Sequence, residues 1–233
     1  MDYNFEEEDW KKKLEKHKLS RNDINNVIMD YLCIEGFKDA AEKFAAESGL
    51  KPTIELDSMD ERIRVKEALE CGKIEEAIHL INEKYPSLLD KDHTLYFRLQ
   101  QQQMIELIRN QRVEEALQFA QDRLGECAVN DPAVLPEVER TLALLAFDDP
   151  EKSPFADLLQ LSHRQKVSGE VNAALLRCEN RGRDNPKLVQ FIKLILLFQE
   201  QLDKKRVNFP HMTDFVNAKF ETQNGSRRES VGK

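Results

Sequence analysis

Apolar positions from Asp23 to Ser48 fall into two runs, Ile24, Val27, Ile28, Tyr31 and Leu32, then Phe37, Ala40, Ala41 and Phe44. Each follows the i, i+3, i+4, i+7 spacing that lines one face of an α-helix. Gly36 lies between them, where a glycine in the left-handed conformation ends one helix and turns into the next, with Phe37 as the apolar residue that packs back on the final turn. Ser20 and Asp23 have the spacing of a capping box, and Gly49 and Pro52 close the segment. The pattern predicts an αα-hairpin with one apolar stripe on each arm. Helices this short are marginal in water, and so small a unit buries too little surface to stand alone. The hairpin therefore docks on the rest of the chain or on a second chain.

The 3.6-residue period resumes after a linker at 53–57. Ser58 and Glu61 read as a start signal, and Ile63 and Leu69 carry a helix to Cys71, with Gly72 as its stop. Ile74, Ala77, Ile78 and Ile81 carry the next, which ends before Pro86. A longer helix covers Leu95–Arg109, and Val113, Leu117, Ala120 and Leu124 define another that ends at Gly125. The segments KIEEAI from Lys73 and RVEEAL from Arg112 resemble each other at an offset of 39 residues (112 minus 73), a length found in stacked helical hairpins. Residues 126–136, with two prolines and no periodicity, are expected to be a loop. Helices follow through Val138, Leu142 and Leu145, through Phe155, Leu158 and Leu159 after Ser153-Pro154, and through Val167, Val171, Ala174, Leu175 and Cys178. Asn185-Pro186 reads as a cap followed by proline in the first turn. It opens the most apolar helix, with Leu188, Phe191, Ile192, Ile195, Phe198 and Leu202 on one stripe. Taken alone that stripe reads as core; the other reading is a surface for a second subunit. Beyond residue 208 only Met212, Phe215 and Phe220 suggest a docked segment, and no stretch alternates with period two. The reading is all-α: a helical hairpin followed by stacked antiparallel helical hairpins.

Composition removes several function classes. The chain has 233 residues, a net charge of −8 and no basic concentration, which argues against a nucleic acid partner. Its longest apolar run, Leu194–Phe198, is too short to span a bilayer. The acidic start, Glu6 to Asp9, has no signal-peptide character. Residues 1–9 and the last ten are expected to be disordered, and Trp10–Leu19 to form a short basic helix. Scattered Cys33, Cys71, Cys127 and Cys178 read as reduced, half-buried thiols.

Candidate chemistry is sparse. No glycine belongs to a phosphate-binding loop. The five histidines (His17, His79, His93, His163, His211) form no metal-ligand spacing, so no metal site and no cofactor is expected. The run Gln100–Gln103 sweeps most of a helical turn, so at least one amide faces the core or a partner and must find hydrogen-bond partners there; the alternative is four solvated glutamines. Arg227-Arg228-Glu229-Ser230 is either a kinase site or a solvated tail. A small helical enzyme would need a deep pocket with converging polar groups and a residue of shifted pKa.

The residues also resemble a known family. VIMDYL (27–32), GF (36–37), AA (40–41), Phe44 and Glu47-Ser48 resemble the LisH motif. Ile63–Cys71, Gly72, KIEEAIHLI, YPSLL and LYFRLQQQQMIELIR follow the order of the CTLH motif, and VERTLALLAFDDPEKSPFADLL (138–159) resembles the CRA region. The resemblance implies an N-terminal segment at 1–19, LisH at 20–52, CTLH at 58–115, CRA at 112–208 and a tail at 209–233, with the 126–136 segment the least family-like. LisH hairpins of the family pair across subunits, which implies a homo- or hetero-oligomer. It also implies a non-catalytic scaffold subunit of a GID/CTLH-type E3 ubiquitin ligase, bridging RING-type and substrate-receptor subunits in protein degradation. A further expectation is a cytoplasmic and nuclear location, with no nucleic acid or membrane partner. The LisH contact is then expected at Ile24, Ile28, Tyr31, Leu32, Phe37 and Phe44, and a second surface at Leu188, Phe191, Ile195 and Phe198. A LisH-type adaptor of a cytoskeletal or transcriptional complex is the alternative.

Overall fold

Helices make up most of the computed structural model, which describes residues 12–13, 15–52, 54–179, 185–207 and 209–221. The expectations at Trp10, the extreme termini and Ser230 lie outside the described residues. The helices are α1 (Arg21–Glu35), α2 (Lys38–Ser48), α3 (Asp60–Glu70), α4 (Ile74–Lys84), α5 (Leu88–Lys91), α6 (His93–Arg109), α7 (Val113–Phe119), α8 (Gly125–Asn130), α9 (Leu135–Ala143), α10 (Leu161–Cys178) and α11 (Lys187–Lys204). Short 3-10 turns occupy much of the path between α9 and α10. The chain divides into two units. The smaller holds residues up to Tyr31, Phe44–Lys51 and those from Pro186 on; the larger holds Leu32–Lys43 and Pro52–Asn185.

One turn design recurs in the larger unit. At the end of α3, Gly72 has φ +77, the Lys73 N–H reaches the Ala68 carbonyl at 2.8 Å and the Gly72 N–H reaches Leu69 at 3.0 Å. The end of α6 repeats this 39 residues later: Gln111 has φ +59, and the N–H groups of Arg112 and Gln111 reach Leu107 and Ile108, both at 3.0 Å. Gly36 makes the same turn after α1, with φ +83 and the Phe37 N–H on the Leu32 carbonyl at 2.9 Å. The paired 6→1 and 5→2 bonds at Gly72 and Gln111, and the 6→1 bond at Gly36, satisfy carbonyls that a helix end leaves open.

Helix α6 is the axis of the larger unit. Eleven of its seventeen residues are buried, because it serves two cores. Leu95 and Leu99 join Val65, Leu69, Ile74, Ile81, Val167, Val171 and Leu175 in one. Phe97, Met104, Ile105 and Ile108 join Ala116, Leu124, Val138, Leu144 and Leu158 in the other. This encloses the glutamine run: Gln100, Gln101 and Gln102 are buried and only Gln103 is partly open. Each buried amide whose bonds are resolved is satisfied as such groups require. Gln101 donates to Thr141 Oγ1 at 2.9 Å and Gln102 to Glu106 Oε1 at 2.7 Å, while Gln102 Oε1 meets His163 Nδ1 at 2.8 Å. Glu106 also receives both arms of the Arg164 guanidinium, the bidentate geometry that suits a buried carboxylate.

Several local expectations are corrected. Gly125 does not stop a helix: it has φ −59, and α7 runs through a π-helical turn, Ala120–Leu124, into α8. The 126–136 segment is helical rather than a loop, because Leu124 and the half-buried Cys127 pack on the second core. Its prolines sit in the first turns of the 3-10 turn at 132–134 and of α9, where a missing N–H costs nothing. Ser58 caps no helix; it lies inside a 3-10 turn and donates to the Glu55 carbonyl. The thiols are not uniformly half-buried: Cys33 is buried, Cys71 and Cys178 are exposed, and only Cys127 is intermediate. A small strand pair also exists. β1 (His211–Asp214) and β2 (Lys219–Glu221) are antiparallel, pairing His211 with Glu221 and Met212 with Phe220. These strands are too short for a period-two pattern to register.

Candidate functional site

The first hairpin contains two sets of apolar residues, and periodicity alone does not separate them. Met29, Cys33, Ile34 and Ala41 are buried. None of these but Ala41 belongs to the predicted stripes, so the anchoring set was missed. Ile24 and Phe37 are 46% and 45% exposed, and Ile28, Tyr31, Leu32 and Phe44 are half-buried. The stripe that reads most strongly in the sequence is therefore the one left partly open.

The anchor in the larger unit is polar as well as apolar. Arg62 of α3, buried, donates to the carbonyls of Ile34 and Cys33, each at 3.3 Å, and to Asn172 Oδ1 at 2.7 Å. Asn172 of α10 donates to the same Ile34 carbonyl at 3.0 Å, and Lys66 donates to the Glu35 carbonyl at 2.8 Å. Cationic side chains thus receive the C-terminal carbonyls of α1, where the helix dipole favours positive charge. Glu179 lies 3.8 Å from Arg62 Nε and accepts from the Tyr85 hydroxyl at 2.7 Å; burial and this carboxylate push the Tyr85 phenol well up.

In the smaller unit the decisive element is α11. Its start is fixed by Asp30, whose carboxylate accepts the Lys187 N–H at 2.9 Å, in place of the cap expected from Asn185-Pro186. Near its end Gln199 Oε1 accepts the Met212 N–H at 2.8 Å, and Asp203 meets His211 Nε2 at 3.1 Å. Yet none of its eighteen residues is buried. Leu188, Phe191, Ile195 and Phe198 are all exposed, Phe198 at 61%, and so are Leu194, Leu196 and Leu197. The core reading of this stripe is thereby overturned. A helix apolar on so many sides normally lies inside a core; here its apolar side chains stand open.

Among the described residues no cluster of His, Cys, Asp and Glu has the arrangement to hold a metal ion, and no helix is long and apolar enough to cross a membrane. A crevice of about 610 Å³ is lined by His93, Thr94, Tyr96, Cys127 and Asp131. Burial pushes the Cys127 thiol up, away from the thiolate a nucleophile requires. Burial also pushes the His163 imidazole down, and its ring serves the Gln102 amide.

Stacked helical hairpins, a docked N-terminal hairpin and an uncovered apolar helix define a helical protein-interaction module. The chain belongs to the family described as the CTLH/CRA C-terminal to LisH motif domain, matched over residues 58–203, with a LisH motif at 22–48. It is 47% identical to the glucose-induced degradation protein 8 homolog of Nematostella vectensis, over 92% of this chain and 95% of that one. It is 45% identical to the protein GID8 homolog of Arabidopsis thaliana, over 92% and 87%. It is 30% identical to GID complex subunit 8 of Schizosaccharomyces pombe, over 76% and 78%.

Proposed function

We propose that the chain is a non-catalytic scaffold subunit of a GID/CTLH-type E3 ubiquitin ligase. In this reading it holds RING-type subunits beside substrate receptors, in the cytoplasm and nucleus, for ubiquitin-dependent degradation. The relative in Schizosaccharomyces pombe carries the name of a GID complex subunit, which supports the choice of assembly. The observation that carries the reading is the uncovered apolar surface of α11. Burying one Leu or Phe side chain contributes about 1.5–3 kcal/mol. Covering the seven exposed ones, each already partly shielded, gives on the order of 10 kcal/mol, comparable with the roughly 4–15 kcal/mol that association costs.

The test is co-purification. Aspartate at Ile28 and Leu32, or at Phe191 and Phe198, should release partner chains while the helical signal of the larger unit persists. RING-bearing co-subunits in the wild-type sample support the ligase reading; motor or chromatin components would replace it with an adaptor of another complex. A wild-type chain that stays monomeric at high concentration, with α11 protected, would remove both.

A further inference from the structure

The C-terminal strand pair is held along one edge and open along the other. Helix α11 holds it through Gln199, whose side-chain amide accepts the Met212 N–H at 2.8 Å and donates to the Met212 carbonyl at 3.5 Å. Residues directly opposite in an antiparallel pair exchange both main-chain bonds or neither. Met212 gives both of its groups to Gln199, so Met212 and Phe220, which face each other in the register, exchange neither. The N–H and C=O of Phe220 therefore point away from β1, out from the far edge of β2. Among the described residues the sheet has two strands, so no third strand meets that edge.

The edge is complementary to itself. Lys219, Phe220 and Glu221 are all exposed. A second β2 laid antiparallel and centred on Phe220 exchanges both main-chain bonds between the two Phe220 residues. It also sets Lys219 of each strand against Glu221 of the other, two opposite-charge pairs of the kind that stabilises neighbouring strands. Centring the pair on residue 219 or 221 instead opposes Lys219 to Lys219 or Glu221 to Glu221, which is destabilising. The favoured register is two-fold symmetric, as an interface between identical chains requires.

We infer that β2 is an interface between two copies of this chain, joined by strand addition through Phe220 into one four-stranded antiparallel sheet. An isolated two-stranded hairpin is marginal in water. In the joined sheet Met212 and Phe220 of one copy continue into Phe220 and Met212 of the other as an apolar row on one face, and Lys219 and Glu221 stand on the opposite face. A contact this small is weak, so it depends on concentration. It is separate from the LisH hairpin and from the apolar side chains of α11, and it does not depend on the ligase reading.

The experiment is residue-resolved hydrogen exchange on the full-length chain over a range of concentrations. The Phe220 N–H should become protected as concentration rises, whereas the Glu221 N–H, which the register turns toward His211, should be protected throughout. Glu221→Lys turns two attractive pairs into two repulsive ones and should lower the Phe220 protection at high concentration about tenfold. The double variant K219E/E221K restores opposite charges across the two strands and should recover it. The register has its own readout. In a background with Cys71 and Cys178 replaced by serine, a mixture of Lys219→Cys and Glu221→Cys chains should form a disulfide on mild oxidation, because these positions lie directly opposite each other. Either variant alone should form far less. Phe220 left unprotected at every concentration overturns the inference, and so does protection that neither dilution nor Glu221→Lys changes. Protection that appears only when a different polypeptide is added, a charge swap that recovers nothing, or as much disulfide from one variant alone as from the mixture, also overturns it.

Discussion

Asp30 and Lys187 are 157 positions apart in sequence, and the buried carboxylate of the first accepts the main-chain N–H of the second at 2.9 Å. A residue of α1 thereby does for α11 what a local cap residue does elsewhere. A hydrogen bond thereby joins the segment the family resemblance marks as LisH to the last long helix.

Asp30→Ala should loosen the first turn of α11, at a cost of about 1–2 kcal/mol, whereas Asp30→Asn keeps an acceptor and most of the effect. Hydrogen exchange at Lys187 is the direct readout. Unchanged protection there in the alanine variant would contradict the capping role.

The two repeat turns predict opposite outcomes for opposite substitutions. A Cβ at Gly72 would lie 2.7 Å from Arg164 Nη2 and 3.0 Å from Glu106 Oε2, at a φ of +77. Gly72→Ala should therefore cost roughly 2 kcal/mol or more. Gln111 holds the corresponding left-handed position with φ +59 and a full side chain, so Gln111→Gly should stabilise by about 0.5–1 kcal/mol. Urea midpoints of the two variants must move in opposite directions.

Arg62→Met keeps an unbranched apolar stem and removes the donors. The carbonyl of Cys33 and the carboxylate of Glu179 then lose a buried cation, at a cost of about 3 kcal/mol. A variant within about 0.5 kcal/mol of wild type, the range of an ordinary surface change, would mean that the Arg62 contacts contribute little.

His163 gives the larger unit a pH dependence whose sign is fixed. Burial lowers its folded-state pKa below the ordinary imidazole value of about 6.5, so at mildly acidic pH the unfolded chain binds a proton that the folded chain excludes. Stability from this site is complete above about 6.5 and declines as pH falls below it. His163→Gln retains a partner for Gln102 without titrating. Urea unfolding at pH 7.5 and 5.5 should show a smaller loss in the variant than in wild type; equal losses would assign the effect elsewhere.

The αα-hairpin at Gly36, the stop at Gly72, the 39-residue repeat and the apolar stripe of α11 were all legible in the chain. Each rests on residues close together in sequence, through a period, a φ requirement or a cap. What failed were inferences from local residues to contacts made far away. Gly125, Pro132 and Pro136 look like breakers, yet a π-helical turn and first-turn positions accommodate them because Leu124 and Cys127 reach the second core. Ser58 has the spacing of a cap, but the Glu55 carbonyl takes its hydroxyl.

The sequence by itself determined that the protein is helical, where most helices lie and that its apolar surface comes in stripes. Those properties follow from the geometry of one helix and its immediate neighbours. The tertiary structure alone decided which stripes are spent inside the molecule. It buried Met29, Cys33 and Ile34, enclosed three glutamines of α6, and left α11 open. Burial depends on what lies across from a helix, and a periodic pattern gives the direction a face points but not whether anything stands opposite.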